Sequence, residues 1–341
     1  MKLSLIIPTY NRPKDIMRLL TNLNLQTRKP DEVIIVDASD TEETKVLVEH
    51  NKKGFAYPIS YYSHEKGLTR QRNFGIGKAQ YEIIGFSDDD SLYEMDFMAR
   101  IVAIFERDQT SEIGGASGLI FNVGPSNIPL IDEYLKNDPT GAEFSSFMKR
   151  FANRGQDTWR SRLRKCLERV VFLQGAREGT FSPVRCRFCS IEKPFAGARE
   201  VDYLRGIAFY RKKVFEHIQY SDFFKGYGFA EDIHFSLQVG KTWKLIMVGE
   251  TFSYHLHAPS GRPDLFRVGI MYTKNYFYIF KTYRKRNIVE YVFFWYFFSL
   301  NTLLDVAPIF LLKNAGDRLR FFVGRFFGGL MVLRDSLKRR V

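Results

Sequence analysis

The segment Ile83–Asp90, reading IIGFSDDD, constrains this chain more than any other stretch. Ile83–Phe86 is a short apolar run that predicts a buried strand, ended by Ser87. Three aspartates follow at once. Like charges at adjacent positions repel, and one carboxylate usually has to be neutralised by a proton or a cation. Hard divalent cations such as Mg²⁺ and Mn²⁺ take oxygen ligands and commonly bridge one or two carboxylates to substrate phosphates. The pattern therefore predicts a metal–diphosphate site at the carboxyl end of a parallel strand, where open α/β sheets bind ligands. The competing reading is a solvated acidic turn in which Ser87 or Asp88 caps the following helix.

The preceding residues supply the rest of such a sheet. Leu3–Pro8 (LSLIIP) predicts a buried parallel strand. Pro13 suits the first turn of a helix, and Ile16, Leu19, Leu20 and Leu23 recur at helical spacing through Asp15–Leu25. Glu32–Val36 is a second strand tipped by Asp37. Strand, helix and strand make a βαβ unit, and an acid at the tip of its second strand commonly takes a ribose hydroxyl or a base edge. Capping the next turn is the alternative for Asp37. Thr41–Asn51 predicts a second helix and Ile59–Tyr62 a third strand. Gly67 then leads into a helix bearing Arg70, Arg72 and Asn73. A helix N-terminus with arginines nearby can receive a diphosphate.

Length and charge narrow the classes. The 341 residues allow one large α/β domain with an appendage, or two domains. A formal charge of +13 suits nucleic acid, an anionic membrane surface or phosphorylated substrates. No basic arm with interleaved aromatics on strands points to nucleic acid. Cys166, Cys186 and Cys189 do not make a disulfide framework, which predicts a reducing compartment. The single CxxC of Cys186–Cys189 reads as free thiols rather than half a zinc site. The N-terminus runs directly into a strand pattern with no signal peptide.

Four segments, LSLIIPTYNRP, EVIIVD, KGLTRQRNFG and SDDD, occur in an order and spacing that resemble the family 2 glycosyltransferases. The match runs to about residue 125. The resemblance implies inverting, metal-dependent enzymes with the GT-A fold, a Rossmann-like α/β mixed sheet flanked by helices. It extends more loosely into the second half. Val201–Glu216 is similar to the segment that closes over the acceptor side. Gly226–Asp232 (GYGFAED) looks like the family's acid pair at a helix start. The alternation of Ile233, Phe235, Leu237 and Val239 by itself suits a strand; the resemblance makes it a helix. Lys244–Val248 is another strand. In Thr251–His257 the resemblance implies a histidine as third metal ligand. His255 fits slightly better, and His257 stays open.

Asn122–Glu200, with a helical patch at Thr158–Phe172, reads as an insertion that shapes the acceptor pocket or touches membrane. After Asp264 the chain becomes aromatic and basic. Ile288–Leu304 is largely apolar over 17 residues, short of the roughly 20 needed for a span, and predicts an interfacial or re-entrant helix. A buried helical hairpin is the alternative. The domains expected are a GT-A catalytic domain over 1–263 and a helical, membrane-associating or partner-binding extension over 264–341. The first divides into a nucleotide-sugar half (1–125), the insertion (126–200) and an acceptor half (201–263).

The expected reaction is sugar transfer, with inversion, from a nucleotide-diphosphate donor to a hydroxyl of a glycan or lipid-linked acceptor, in envelope polysaccharide or glycoconjugate synthesis. Asp90 is the expected direct ligand of Mn²⁺ or Mg²⁺, completed by His255 or His257. Asp88 is placed nearer the ribose or base, with Asp89 beside it on the donor side. Pro8, Tyr10 and Asp37 hold the nucleoside, and Arg70 and Arg72 point towards the donor. Inversion needs a base opposite the leaving group; Asp232 is the candidate, with Glu231 sharing the work. The expected place is cytoplasmic, on the inner face of the plasma membrane, against an anionic surface and without nucleic acid. A nucleotidyltransferase would carry a Gly-rich loop after the first strand, where PTYNRP has none. A non-catalytic scaffold sits poorly with the complete acid set Asp37, Asp88, Asp90 and Asp232.

Overall fold

The computed structural model describes residues 1–152, 177–182, 184, 187–258, 260, 263–283, 285–306 and 315–338. The apolar runs of the first half are strands: β1 (Leu3–Thr9), β2 (Glu32–Asp37), β3 (Ile59–Ser63) and β4 (Ile83–Phe86). They pair in parallel in the order β3-β2-β1-β4. Every residue of β1 is buried, as a strand covered on both faces requires. Side chains alternate between the faces: Leu5 and Ile7 enter one core with Leu19 and Leu23, and Ile6 the other with Ile84 and Phe86. Helices α1 (Pro13–Asn24), α2 (Glu43–Asn51) and α3 (Leu68–Lys78) connect these strands. Ile16, Leu19, Leu20 and Leu23 of α1 are all buried, so its 3.6-residue pattern is the face it lays on the sheet.

Beyond β4 the sheet becomes mixed. Strand β5 (Ser91–Tyr93) and helix α4 (Phe97–Arg107) lead to β6 (Ile113–Asn122). Helices α5 (Ile128–Lys136) and α6 (Gly141–Ala152) follow, then the short hairpin β7 (Phe181–Ser182) and β8 (Arg187–Phe188). The predicted helix Thr158–Phe172 and both Cys166 and Cys186 lie outside the described residues. Strand β9 (Ala198–Val201) precedes β10 (Ala208–Arg211), which inserts antiparallel between β4 and β6. Helix α7 (Glu231–Val239) leads to β11 (Lys244–His255). Among the described residues the sheet has nine strands, ordered β3-β2-β1-β4-β10-β6-β11-β5 with β9 beside β11.

Two details of the second half bring residues to the site. Lys244–Val248 and Thr251–His255 form one strand rather than two, with a register shift against β6 between Val248 and Phe252. After this bulge β11 also pairs with β5, setting His255 opposite Ser91, the residue after the aspartates. Residues Glu231–Val239 are helical despite their alternating pattern. Phe235 and Val239 pack on the sheet with Tyr210 and Leu245, while Ile233 and Leu237 pack outwards with Phe224 and Ile279. A helix covered on two sides is apolar on both, and over nine residues that imitates a strand.

The outer cover of α7 is the C-terminal extension: α8 (Leu265–Tyr283), α9 (Ile288–Val306) and α10 (Ala315–Lys338). Asn275 Nδ2 donates to the Phe229 carbonyl at 2.6 Å, and the Tyr278 ring stacks on Phe223 at 3.8 Å. The apolar run Ile288–Leu304 lies in α9. Among the described residues no helix is long and apolar enough to cross a membrane. Pro308 lies outside them.

The sheet centre is packed to contact. A Cβ on Gly85 of β4 would lie 2.4 Å from the Phe209 ring and 3.1 Å from Leu5, whereas one on Gly77, within α3, would meet nothing within 4 Å. Opposite signs are expected. Gly85→Ala should destabilise by about 1–3 kcal/mol through overpacking. Gly77→Ala should stabilise by about 0.5 kcal/mol through the lost helical penalty of glycine. Urea midpoints for both variants check this, and two shifts of the same sign would contradict it.

Candidate active site

Strands β1, β2 and β4 lie side by side and parallel, so Thr9, Asp37 and Ser87 finish at one edge of the sheet. Helix α3 crosses this edge. Gln71 Nε2 donates to the carbonyls of Thr9 at 3.0 Å and Val36 at 2.8 Å, tying the ends of β1 and β2. Arg72 is buried, while Arg70 turns to the surface and pairs with Glu65 at 2.9 Å. Two residues apart on a helix is about 200°, so the two arginines face opposite ways.

Asp37 is buried and folded back on its own loop. One oxygen accepts from Ser39 N at 2.8 Å and Ser39 Oγ at 2.5 Å, and the other accepts from the Tyr61 hydroxyl. Burial and that bond push the Tyr61 phenol well above its ordinary value. Pro8 and Tyr10 line the cleft, and Asp37 stands behind them. At the rim, Asp40 accepts from the Tyr10 hydroxyl and from Asn11 Nδ2, each at 2.7 Å. The Lys66 ammonium sits 3.4 Å above the Tyr10 ring.

The three aspartates sit in three different surroundings. Asp89 turns inwards and accepts from Thr9 Oγ1 and Arg12 Nη1, each at 2.7 Å. Burial pushes its pKa up to about 7, with Arg12 opposing the shift and Asp90 adding to it. Asp90 accepts from the Ala258 amide at 2.9 Å and lies 3.1 Å from His255 Nε2. Burial disfavours its charge, but His255, Arg12 and that amide outweigh burial and hold its pKa below the usual carboxylate range. Asp88 is the half-exposed member, 3.4 Å from Arg72 Nη2.

Asp88, Asp90 and His255 bring ligand atoms within 4.8 Å of one another. Two carboxylates and an imidazole at the wall of an open cleft fit Mn²⁺ or Mg²⁺, with positions left for phosphate oxygens. His257 is held differently. Its backbone is left-handed (φ 55°), and Nε2 lies 2.7 Å from Asn122 Oδ1, although its ring centre is only 4.1 Å from that of His255. The geometry groups His255, not His257, with the two aspartates, and it groups Asp88 with Asp90 rather than apart from it.

Glu231 and Asp232 open helix α7 on another wall. Glu231 is buried and accepts from Arg72 Nη1 at 2.5 Å. Arg72 is thus shared between the acid pair and Asp88. Burial acts to discharge the guanidinium, but Glu231, Asp88 and Asp232 outweigh it and raise its pKa. Asp232 accepts from the Gly206 amide at 2.5 Å and from the Ile233 amide at 2.7 Å. Gly206 has a left-handed φ of 50°, and a Cβ there would stand 3.6 Å from Asp88 Oδ2. It is the residue between the two acids. These walls enclose one cleft of about 1380 Å³, which also reaches Tyr272, Tyr276 and Asn301 of the extension.

A profile described as "Glycosyl transferase family 2" matches residues 4–218, from β1 through β10. The chain belongs to glycosyl transferase family 2. An uncharacterized glycosyltransferase of Haemophilus influenzae is 31% identical over 107 residues, which are 31% of this chain and 35% of that protein. The GalNAc(5)-diNAcBac-PP-undecaprenol beta-1,3-glucosyltransferase of Campylobacter jejuni is 30% identical over 92 residues, 26% of this chain and 29% of that one. The chain matches between 30% and 35% of the length of the first curated relatives. Among solved structures, GalNAc-T7 with UDP, GalNAc and Mn²⁺ superimposes with a TM-score of 0.53 at 15% identity, over 96% of this chain and 55% of that one. This likeness concerns the fold, which is GT-A.

Within this family 2 chain, Arg12, Lys66 and Gly206 line the cleft and Asp40 stands beside Tyr10, yet the sequence assigned none of the four a role of its own. Arg12, Asp40 and Lys66 are charged residues in turns, which ordinarily read as solvated. Gly206 had one signal, a glycine after Arg205 in the segment assigned to the acceptor side. The Arg72–Glu231 pair makes a direct prediction. Arg72→Met leaves Glu231 buried without its partner and should cost about 3–5 kcal/mol. Arg72→Met with Glu231→Met, which removes both charges, should recover most of that loss. Urea denaturation distinguishes the cases, and equal losses in the single and double variants would contradict the pairing.

Proposed function

We propose that this chain transfers a sugar, with inversion, from a nucleotide-diphosphate donor to a hydroxyl of a glycan or lipid-linked acceptor. The observation that carries the reading is the meeting of Asp88, Asp90 and His255 with the Glu231–Asp232 pair in one cleft. Tyr10 and the Pro8–Thr9 strand end form the nucleoside wall, with Asp37 fixing the loop behind them. Asp88, Asp90 and His255 hold Mn²⁺ or Mg²⁺, which when bound supplies positive charge to the donor diphosphate. Asp89 orients Arg12 and, through it, the chain around Ser260, whose carbonyl accepts from Arg12 Nε at 3.0 Å.

Asp232 is the base in this reading. The amides of Gly206 and Ile233 fix its carboxylate at the head of α7, and it takes the acceptor proton as the glycosidic bond forms. Glu231 is held by Arg72 and positions α7 against the donor side. Arg72 is buried between acids, so its role is to join the two sides rather than to bind phosphate. Arg70 lies on the surface away from the cleft and takes no part.

The Campylobacter relative, named for an undecaprenol-linked acceptor, supports the lipid-linked class, as does the basic, aromatic extension. Envelope polysaccharide or glycoconjugate synthesis on the inner face of the plasma membrane is the setting that goes with it. The catalytic unit we assign is 1–263, with 264–341 as the extension.

The test is release of nucleoside diphosphate from a panel of nucleotide sugars, with Mn²⁺ or Mg²⁺ and with EDTA. One donor should be hydrolysed slowly and only with metal, and Asp90→Ala should abolish this. Asp232→Asn should lower transfer by about 10²–10⁴-fold while leaving nucleotide affinity nearly unchanged. Loss of nucleotide binding in Asp232→Asn, or donor hydrolysis that resists EDTA, would count against the assignment.

A further inference from the structure

We infer that the extension docks on an anionic lipid surface through the outward faces of α9 and α10, which deepens and rests on the reading of a lipid-linked acceptor. Eleven of the sixteen large apolar side chains exposed among the described residues belong to these two helices. On α9, Ile288, Val292 and Tyr296 recur every fourth residue beside Val289 and Phe293. Val292 is 63% exposed and Ile288 73%. The other side of α9 is apolar too, with Phe294 and Phe298 buried against Phe280. On α10, Leu319, Phe326, Phe327, Leu330 and Leu333 are exposed, while Gly324, Arg325, Gly328 and Val332 turn inwards. Apolar side chains gathered on the outward faces of two helices in this way point to an interaction site.

The charge around the patch selects the occupant. Residues 264–341 contain fourteen Lys and Arg against five Asp and Glu. Arg318, Arg320 and Arg334 are exposed on α10, and Lys281 and Lys285 are exposed ahead of α9. Apolar aromatic faces edged by cations suit the boundary of an anionic bilayer. A second copy would set like charges against one another. The surface we infer is one the helices lie on; among the described residues no helix is long and apolar enough to cross a membrane.

The same helices hold the cleft. Helices α8 and α10 meet backbone to backbone: a Cβ on Gly324 would lie 2.0 Å from the Phe266 carbonyl oxygen, and one on Gly269 2.2 Å from that of Phe321. Thr273 Oγ1 donates to the Arg325 carbonyl at 3.0 Å. The outward face of α10 is therefore fixed relative to α8, whose Tyr272 and Tyr276 line the cleft together with Asn301 of α9. An acceptor carried on a lipid reaches the cleft from the docked side.

Flotation of the full chain with vesicles tests this. Vesicles of phosphatidylcholine mixed with phosphatidylglycerol should carry the protein, those of phosphatidylcholine alone should carry far less, and added salt should weaken the binding. The variant Phe293→Gln, Tyr296→Gln, Phe326→Gln, Phe327→Gln should lose at least about tenfold in partitioning. Arg320→Gln with Arg334→Gln, a milder change that leaves the apolar face whole, should lose about fivefold per charge, on anionic vesicles only. Absence of flotation with anionic vesicles overturns the inference, as does parental flotation in both variants. A parent that sediments as a dimer, with a monomeric four-residue variant, overturns it in favour of a second copy. Donor hydrolysis by the same samples is read separately. Flotation without hydrolysis removes the catalytic reading and leaves the docking, and hydrolysis without flotation does the reverse.

Discussion

The site hangs on one buried guanidinium. Arg72 reaches Glu231 at 2.5 Å and Asp88 at 3.4 Å, joining the end of β4 to the start of α7. Taking such charges out of water is costly, and a buried pair contributes little net stability against apolar residues of the same size. What it supplies is position. Asp88 and Glu231 are 143 residues apart in the chain and sit on different walls of the cleft. A planar donor with fixed fork geometry holds both where an apolar contact would tolerate sliding. Gln71, the neighbour of Arg72, does the same for the ends of β1 and β2, so one turn of α3 orders three strand ends and a helix.

The aspartate triplet meets its own repulsion with nearby cationic groups, Arg12, Arg72 and His255. Asp89 turns away from the other two, whose carboxylates share one side of the cleft, and Arg12 lies between Asp89 at 2.7 Å and Asp90 at 3.6 Å. Asp89 meets Arg12 and Thr9 in the interior, Asp90 meets His255 and the Ala258 amide, and Asp88 meets solvent and Arg72. The opposite pKa shifts of Asp89 and Asp90 follow. The first is governed by burial beside a charged neighbour, the second by hydrogen bonds that favour its charge. The middle aspartate, with its two oxygens already engaged by Thr9 and Arg12, holds the Arg12 guanidinium beside Asp90.

Much of this was legible in the chain because the signals were local. Four continuous apolar runs with turn residues at their ends marked β1 to β4, and the strand-end acids marked the edge where the cleft opens. The rest depended on contacts that no local pattern encodes. His255 and His257 share a face only if both are extended; the strand ends at His255 and the backbone turns left-handed at His257. The choice between Arg70 and Arg72 needed the orientation of α3. The alternation in α7 misled because it records two cores rather than two faces of a sheet. The role of Arg12 was not readable from its motif, since its partners Asp89 and Ser260 lie 77 and 248 residues away.

The position of α7 makes the extension part of the cleft wall. Its inner side rests on the sheet, and its outer side, through Ile233 and Leu237, rests on Phe224 and on Ile279 of α8. Asn275 of α8 also fixes the Phe229 carbonyl, two residues before Glu231. The head of α7, where the acid pair sits, is therefore held from α3 by Arg72 and from outside by α8. Displacing α8 would bare apolar side chains on the helix that carries Asp232 and would remove Tyr272 and Tyr276 from the cleft wall. The cleft consequently has one wall whose placement depends on the C-terminal helices, and anything those helices rest on shares in defining what enters it.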